Sequence, residues 1–288
     1  MQLKFPHWIL SLYLLILMIC YAIGEKTEFK QTNENIVHHH DSTTPHMDHS
    51  VLVFFTPNEL KIGNKIQVYF KKITPSSNTP HFLPKEEANL IPFSHSNLSF
   101  LIQLFGFPKS SSQAQAMEDT LKQCEMSPIK GETKFCAASL ESMLDFVHQI
   151  FGLNTQFKAL STKNSGLLDN ILQNYTIMNE PKEVLAPKMV ACHTMPYPYV
   201  VYYCHYQVSE SKVFKVTLMG ENGDGVEAVA VCHMDTSQWS SNHVSFRVLG
   251  IMPGSSPVCH FFPADNLVWV PLNDGDEGFG DDGLSSVV

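Results

Sequence analysis

The sequence predicts an α+β fold with a helical N-terminal half and a β-rich C-terminal half, braced by disulfides. Three observations predict it. The clearest helical periodicity, in "FCAASLESMLDFVHQIFG", ends at Gly152, well before Pro187. Past Pro187, β-type apolar runs succeed one another, separated by turn sequences. Setting aside the first 24 residues leaves six cysteines, an even number suited to pairing in an oxidising compartment.

The elements follow in chain order. Lys4, the charge-free run over 8–23 and the small residues Ala22 and Gly24 form a secretory signal peptide over 1–24, too short in apolar length for a comfortable membrane span. No membrane span is expected once it is removed. Residues 25–50 are polar and carry His38, His39, His40, His46 and His49, which reads as a flexible, solvated leader. "VLVFFTPNELKIGNKIQVYF" reads as strand–loop–strand and opens a domain over 51–271. "SNLSFLIQLFGF" and "SSSQAQAMEDTLKQCE" are predicted helices, the second capped by serine. The helix that follows places Phe135, Leu140, Met143, Leu144, Val147 and Phe151 on one stripe and has Gly152 as its C-cap.

After Pro187, "YVVYYCHYQV" has strand composition, and "VFKVTLMG" and "VEAVAVCHMD" flank the hairpin turn "ENGDG". "HVSFRVLGI" and "VCHFFPADNLVWVPL" complete at least five predicted strands. Residues 272–288 are acidic and Gly-rich and predict a disordered tail. With 28 acidic against 19 basic residues and no Lys/Arg cluster, nucleic acid and anionic membrane surfaces are excluded as partners. Asn97-Leu98-Ser99 and Asn174-Tyr175-Thr176 are candidate glycosylation sites.

Four of the six cysteines directly precede a histidine: Cys192-His193, Cys204-His205, Cys232-His233 and Cys259-His260. Zinc–thiolate sites normally use a C-x2-4-C clip, which is missing here, and adjacent side chains on a strand point to opposite faces. A second reading separates the two types. The cysteines would face one side of a sheet and oxidise, with Cys124 and Cys136 left for a further bridge; closing a loop of that length stabilises by about 3 kcal/mol. Six cysteines allow fifteen pairings, and the residues do not choose among them. His193, His205, His233 and His260 would then gather opposite, with His243 nearby, as imidazoles suited to copper or zinc. The third reading leaves these rings to pack and hydrogen-bond.

The pattern C-H-x10-C-H-x26-C-H-x25-C-H, with "CHTMPYPY", "AVCHMDTSQW" and "VCHFFPADNLVWVP", resembles the plant BURP domain. So do "SVLVFFTPNELKIG", "LPKEEANLIPFS" and "GETKFCAASLESMLDF", and the likeness runs from about residue 50 to 271. The resemblance implies a secreted plant protein of the apoplast, cell wall or vacuole. Some members are copper-dependent cyclases that couple a Tyr or Trp side chain to another residue of a peptide. Carried over by position, His193, His205, His233 and His260 would be copper ligands and the cysteines structural disulfides. Cyclases of the self-modifying kind carry their own substrate, yet residues 25–68 hold no Tyr or Trp. The resemblance therefore implies either coupling of a separate peptide or a non-catalytic protein of the wall or of seed storage, with a wall component as partner.

Overall fold

In the computed structural model, which describes residues 54–70, 81–164 and 172–272, the chain forms two antiparallel sheets. The strands are β1 (Phe54–Phe55), β2 (Lys65–Tyr69), β3 (Glu132–Ala137), β4 (Phe157–Leu160), β5 (Lys163–Asn164), β6 (Leu172–Ile177), β7 (Lys182–Val184), β8 (Val190–Met195), β9 (Val201–Gln207), β10 (Ser211–Gly220), β11 (Gly225–His233), β12 (Val258–Phe262) and β13 (Leu267–Pro271). The larger sheet runs β1-β12-β11-β10-β6-β2, with β5 added on β11 and β7 on β10. The smaller runs β3-β9-β8-β13-β4.

Helices are few and mostly short: α1 (Lys85–Ala88), α2 (Leu98–Leu104), α3 (Ser112–Glu125), α4 (Leu140–Phe151) and α5 (Val244–Leu249). The Ser111 and Ser139 hydroxyls each accept a first-turn backbone N–H, opening α3 and α4. Gly152, at φ 105°, ends α4 in a conformation that side-chain-bearing residues resist.

The helical N-terminal half that the sequence predicts is not what forms. Strands β1 to β4 all lie before residue 161 and enter both sheets. Phe135, which the periodicity places on the helical stripe, belongs with Ala137 to β3, paired with Cys204 and Tyr202 of β9. The fold is β-rich throughout, because the N-terminal strands supply edges that the C-terminal strands cannot supply for themselves. One further element differs: "HVSFRVLGI" forms α5 rather than a strand.

Alternation of side chains along the strands sorts the apolar residues into separate cores. Between the sheets, Val213, Val229, Val231 and Phe262 of the larger pack with Leu160, Ala191, Val268 and Val270 of the smaller. The other face of the smaller sheet packs Cys192, Cys204 and Trp269 against Met143, Phe146 and Val147 of α4. The other face of the larger sheet encloses Phe55, Ile66, Val68, Tyr175, Cys232, Cys259 and Phe261.

Three disulfides form: Cys124–Cys136, Cys192–Cys204 and Cys232–Cys259. The last two join residues directly opposite on neighbouring strands, β8 with β9 and β11 with β12. Among the described residues no helix is long and apolar enough to cross a membrane. The predicted signal peptide and leader, and residues 273–288 of the acidic tail, lie outside the described residues.

Candidate metal centre

The strand period that turns each cysteine outward turns its histidine inward. His193 follows Ala191 on the inner face of β8, and His205 of β9 pairs directly with Ala191. On the larger sheet, His233 extends the row Val229, Val231, while His260 pairs with Val231 and precedes Phe262. Each sheet thus contributes two imidazoles to one end of the core between them.

The four rings form a closed circuit. Centroids are 5.5 Å apart for His193–His205, 6.4 Å for His205–His233, 5.5 Å for His233–His260 and 5.9 Å for His260–His193. Phe262 forms the floor, 4.8 Å from His193 and 4.9 Å from His260. His243 stands outside the circuit and reaches it through Trp239, which lies 4.6 Å from His243 and 5.0 Å from His233. Its Nδ1 is occupied in accepting the Ser245 N–H at the start of α5. Phe54 of β1 touches both His260 and His243.

Three neighbours of the circuit carry no motif in the sequence. Glu132 on β3, 8 % exposed, places Oε1 3.2 Å from His205 Nδ1, within ion-pair reach but misaligned for a hydrogen bond. Tyr203 OH donates to the same Oε1, and the Ile129 N–H donates to Oε2. Burial raises the Glu132 carboxyl, but the His205 ring, the Ile129 N–H and the Tyr203 hydroxyl outweigh it, leaving the group below its usual range. Asn266 contacts His193 Nδ1 through Nδ2 at 3.0 Å. Ser211 Oγ is 3.4 Å from His233 Nδ1.

His233 is 3 % exposed, whereas His193, His205 and His260 keep a solvent-facing edge. Protein atoms nevertheless crowd these rings. Burial, reinforced by the other imidazoles, drives His193 and His233 well below the ordinary histidine range and His260 to about 4. At neutral pH these three rings are uncharged, the state in which imidazole offers a lone pair.

An imidazole centroid lies about 3.2 Å from an ion bound by its nitrogen, so two rings on one ion are at most about 6.4 Å apart. The four neighbouring pairs meet that limit, and the donor set is of the right kind for copper. The rings are partly stacked, His233 on His260 at 15°, and among the described residues no three ligating side chains converge on one point as they stand. Beside the circuit, a groove of about 470 Å³ runs between the β7–β8 and β9–β10 connections. Val184, Lys188, Tyr206 and Ser211 line it, and Ser211 thereby belongs to both groove and circuit.

The two sequon asparagines are hydrogen-bonded: Asn97 Nδ2 donates to Ser94 Oγ at 2.7 Å, and Asn174 Nδ2 to Glu221 Oε1 at 3.0 Å.

Comparison with known proteins matches residues 53–271 to a family described as the BURP domain. The chain is 45 % identical over 272 residues to the BURP domain-containing protein BNM2A of Brassica napus, covering 91 % of this chain and 95 % of that one. It is 46 % identical over 228 residues to the BURP domain protein USPL1 of Arabidopsis thaliana, covering 77 % and 81 %. It is 38 % identical over 232 residues to the BURP domain protein RD22 of Arabidopsis thaliana, covering 79 % and 57 %.

Proposed function

This chain belongs to the BURP domain family of plant proteins, and from that premise we propose that it is a secreted copper-binding protein that couples Tyr or Trp side chains of a separate peptide. The observation that carries this reading is the histidine circuit: four imidazoles, two from each sheet, with neighbouring centroids no more than 6.4 Å apart. Copper held by these rings supplies redox chemistry that zinc lacks. The chain's own residues supply the rest. Glu132 faces His205 and biases its orientation, Phe262 closes the floor against water, and the narrow solvent-facing edges of His193, His205 and His260 leave an approach for an aromatic side chain. The groove that shares Ser211 with the circuit is where a peptide would lie.

Three disulfides support passage through an oxidising compartment, and apoplast, cell wall or vacuole is the proposed destination. Glycosylation at Asn97 and Asn174 belongs to the same proposal. A second reading, a non-catalytic wall or storage protein whose imidazoles only pack, is favoured by one observation: no three ligating side chains converge as they stand among the described residues.

The test separates the two. Protein purified without a His-tag should contain copper by elemental analysis. Incubated in air with copper and Tyr- or Trp-containing peptides, it should give products two hydrogens lighter. Copper without any mass loss across a broad peptide panel would leave the wall or storage protein, and a folded, copper-free chain would remove the metal as well.

A further inference from the structure

We infer that Lys158, Lys182 and Lys215, at the end of the sandwich remote from the histidines, form a docking surface for the chain's own acidic segment, residues 273–288. The sequence holds no run of lysines; strand register assembles this group. Residues directly opposite on paired strands share a face. Lys215 of β10 stands opposite Val229 of β11, and Lys158 of β4 opposite Val270 of β13. Both valines belong to the core between the sheets. Lys182 of β7 stands opposite Lys215, so all three lysines point into the space between the sheets. On each sheet the inner face thus begins at imidazoles, passes through small apolar residues and ends in lysine.

Like charges directly opposite on neighbouring strands destabilise the pair. Lys182 and Lys215 are such a pair, and among the described residues neither has an ion-pair partner. The same two strands do pair Lys212 with Glu183, but on their other face. At the inner positions of β4, β5, β7, β10 and β11 the one carboxylate is Glu227. It is already engaged, accepting from Thr217 Oγ1 at 3.2 Å and standing opposite Lys163. Beside these groups a cavity of about 240 Å³ opens, with Leu160 and Ser161 on one side and Lys215, Glu227 and Val229 on the other. An anion laid here relieves the repulsion between the two ammonium groups.

The chain delivers that anion to the spot. Strand β13 leads away from the histidines, and the Leu272 N–H donates to the Gln156 carbonyl at 2.9 Å, two residues past the Val270–Lys158 pair. Asp274, Asp276, Glu277, Asp281 and Asp282 follow, with no Lys or Arg among residues 273–288. Asp274 and Glu277 come two and five residues after Leu272, a reach of at most about 7 and 18 Å, against about 10 Å between packed sheets. Exposed ion pairs are individually weak, but a tethered segment acts at an effective concentration near the millimolar range. The lysine end is therefore filled from within, whatever the imidazoles bind.

Two measurements on the full chain test this. A water-soluble carbodiimide condenses a carboxylate with an amine that touches it. At low salt it should join Asp274, Asp276 or Glu277 to Lys158, Lys182 or Lys215, with yields falling at least about fivefold in about 0.5 M NaCl as charges are screened. Lys188 is the internal control, since it lies on the α4 side of the smaller sheet, donating to the Ile150 carbonyl. Equal or greater joining to Lys188, or none to the three lysines, would overturn the inference. In the second measurement a labelled peptide of residues 273–288 is added to two chains, the parent and a variant carrying Asp274→Asn, Asp276→Asn, Glu277→Gln, Asp281→Asn and Asp282→Asn. The peptide should bind the variant about tenfold more tightly, because the parent's own segment competes for the site. Adding Lys182→Gln and Lys215→Gln to the variant should abolish that gain with circular dichroism unchanged. Equal affinity for parent and variant, or a gain that survives loss of both lysines, would overturn the assignment.

Discussion

Glu132 and Asn266 touch neighbouring imidazoles in different ways: the Glu132 carboxylate faces His205 as a charge within ion-pair reach, and the Asn266 amide donates to His193. Neither residue can be picked out of the sequence. Both stand 73 positions from the histidine they touch, and only sheet register brings them there: Glu132 rides on β3 beside β9, while Asn266 precedes β13, which pairs with β8. The histidines themselves were legible because each follows a cysteine, and a strand sends the two to opposite faces. Glu132→Gln keeps the shape of the side chain but removes the charge facing His205. Copper affinity, measured by chelator competition, should fall about 10- to 100-fold, the usual effect of losing such a partner. An unchanged affinity would mean that Glu132 does not orient His205.

At the scale of elements, long periodic segments were read well and short ones were not. Helix α4 has a full apolar stripe, a serine cap and a terminal glycine, and each signal agrees with the others. In α5 the apolar Val244, Phe246 and Val248 alternate as a strand would, and six residues are too few for the helical period to show. Its decisive features are local: the His243 ring accepts the Ser245 N–H, and Gly250 closes the helix at φ 65°. The last three residues of strand β3 read as the start of α4, with Phe135 on its stripe, because an apolar Phe-x-Ala suits either period; pairing with β9 decides the matter. The cross-strand bridges brace the elements that carry the histidines. Replacing Cys192 and Cys204 together by alanine should cost about 3 kcal/mol in denaturant unfolding, from the restored freedom of the unfolded loop. It should also loosen His193 and His205 together, seen as weaker copper binding. Unchanged stability would show that register alone holds β8 to β9.

For the whole molecule, the circuit needs both halves of the chain. Strands after residue 187 bring the imidazoles, while β1 and β3 bring Phe54 and Glu132. An ion shared by rings from both sheets would bind only the assembled sandwich. Copper at 100 times its dissociation constant should then stabilise the fold by about 2.7 kcal/mol, and a chelator should reverse the rise in Tm. Absence of any shift at saturating copper would place the metal outside the space between the sheets. The sulfur bridges have a further consequence. Cys192–Cys204 lies wholly within the smaller sheet and Cys232–Cys259 wholly within the larger, while Cys124–Cys136 ties α3 to β3. None of the three stitches one leaf to the other, so across the histidine margin the leaves are held by packing and the chain's own crossings, like a shell closed without a clasp.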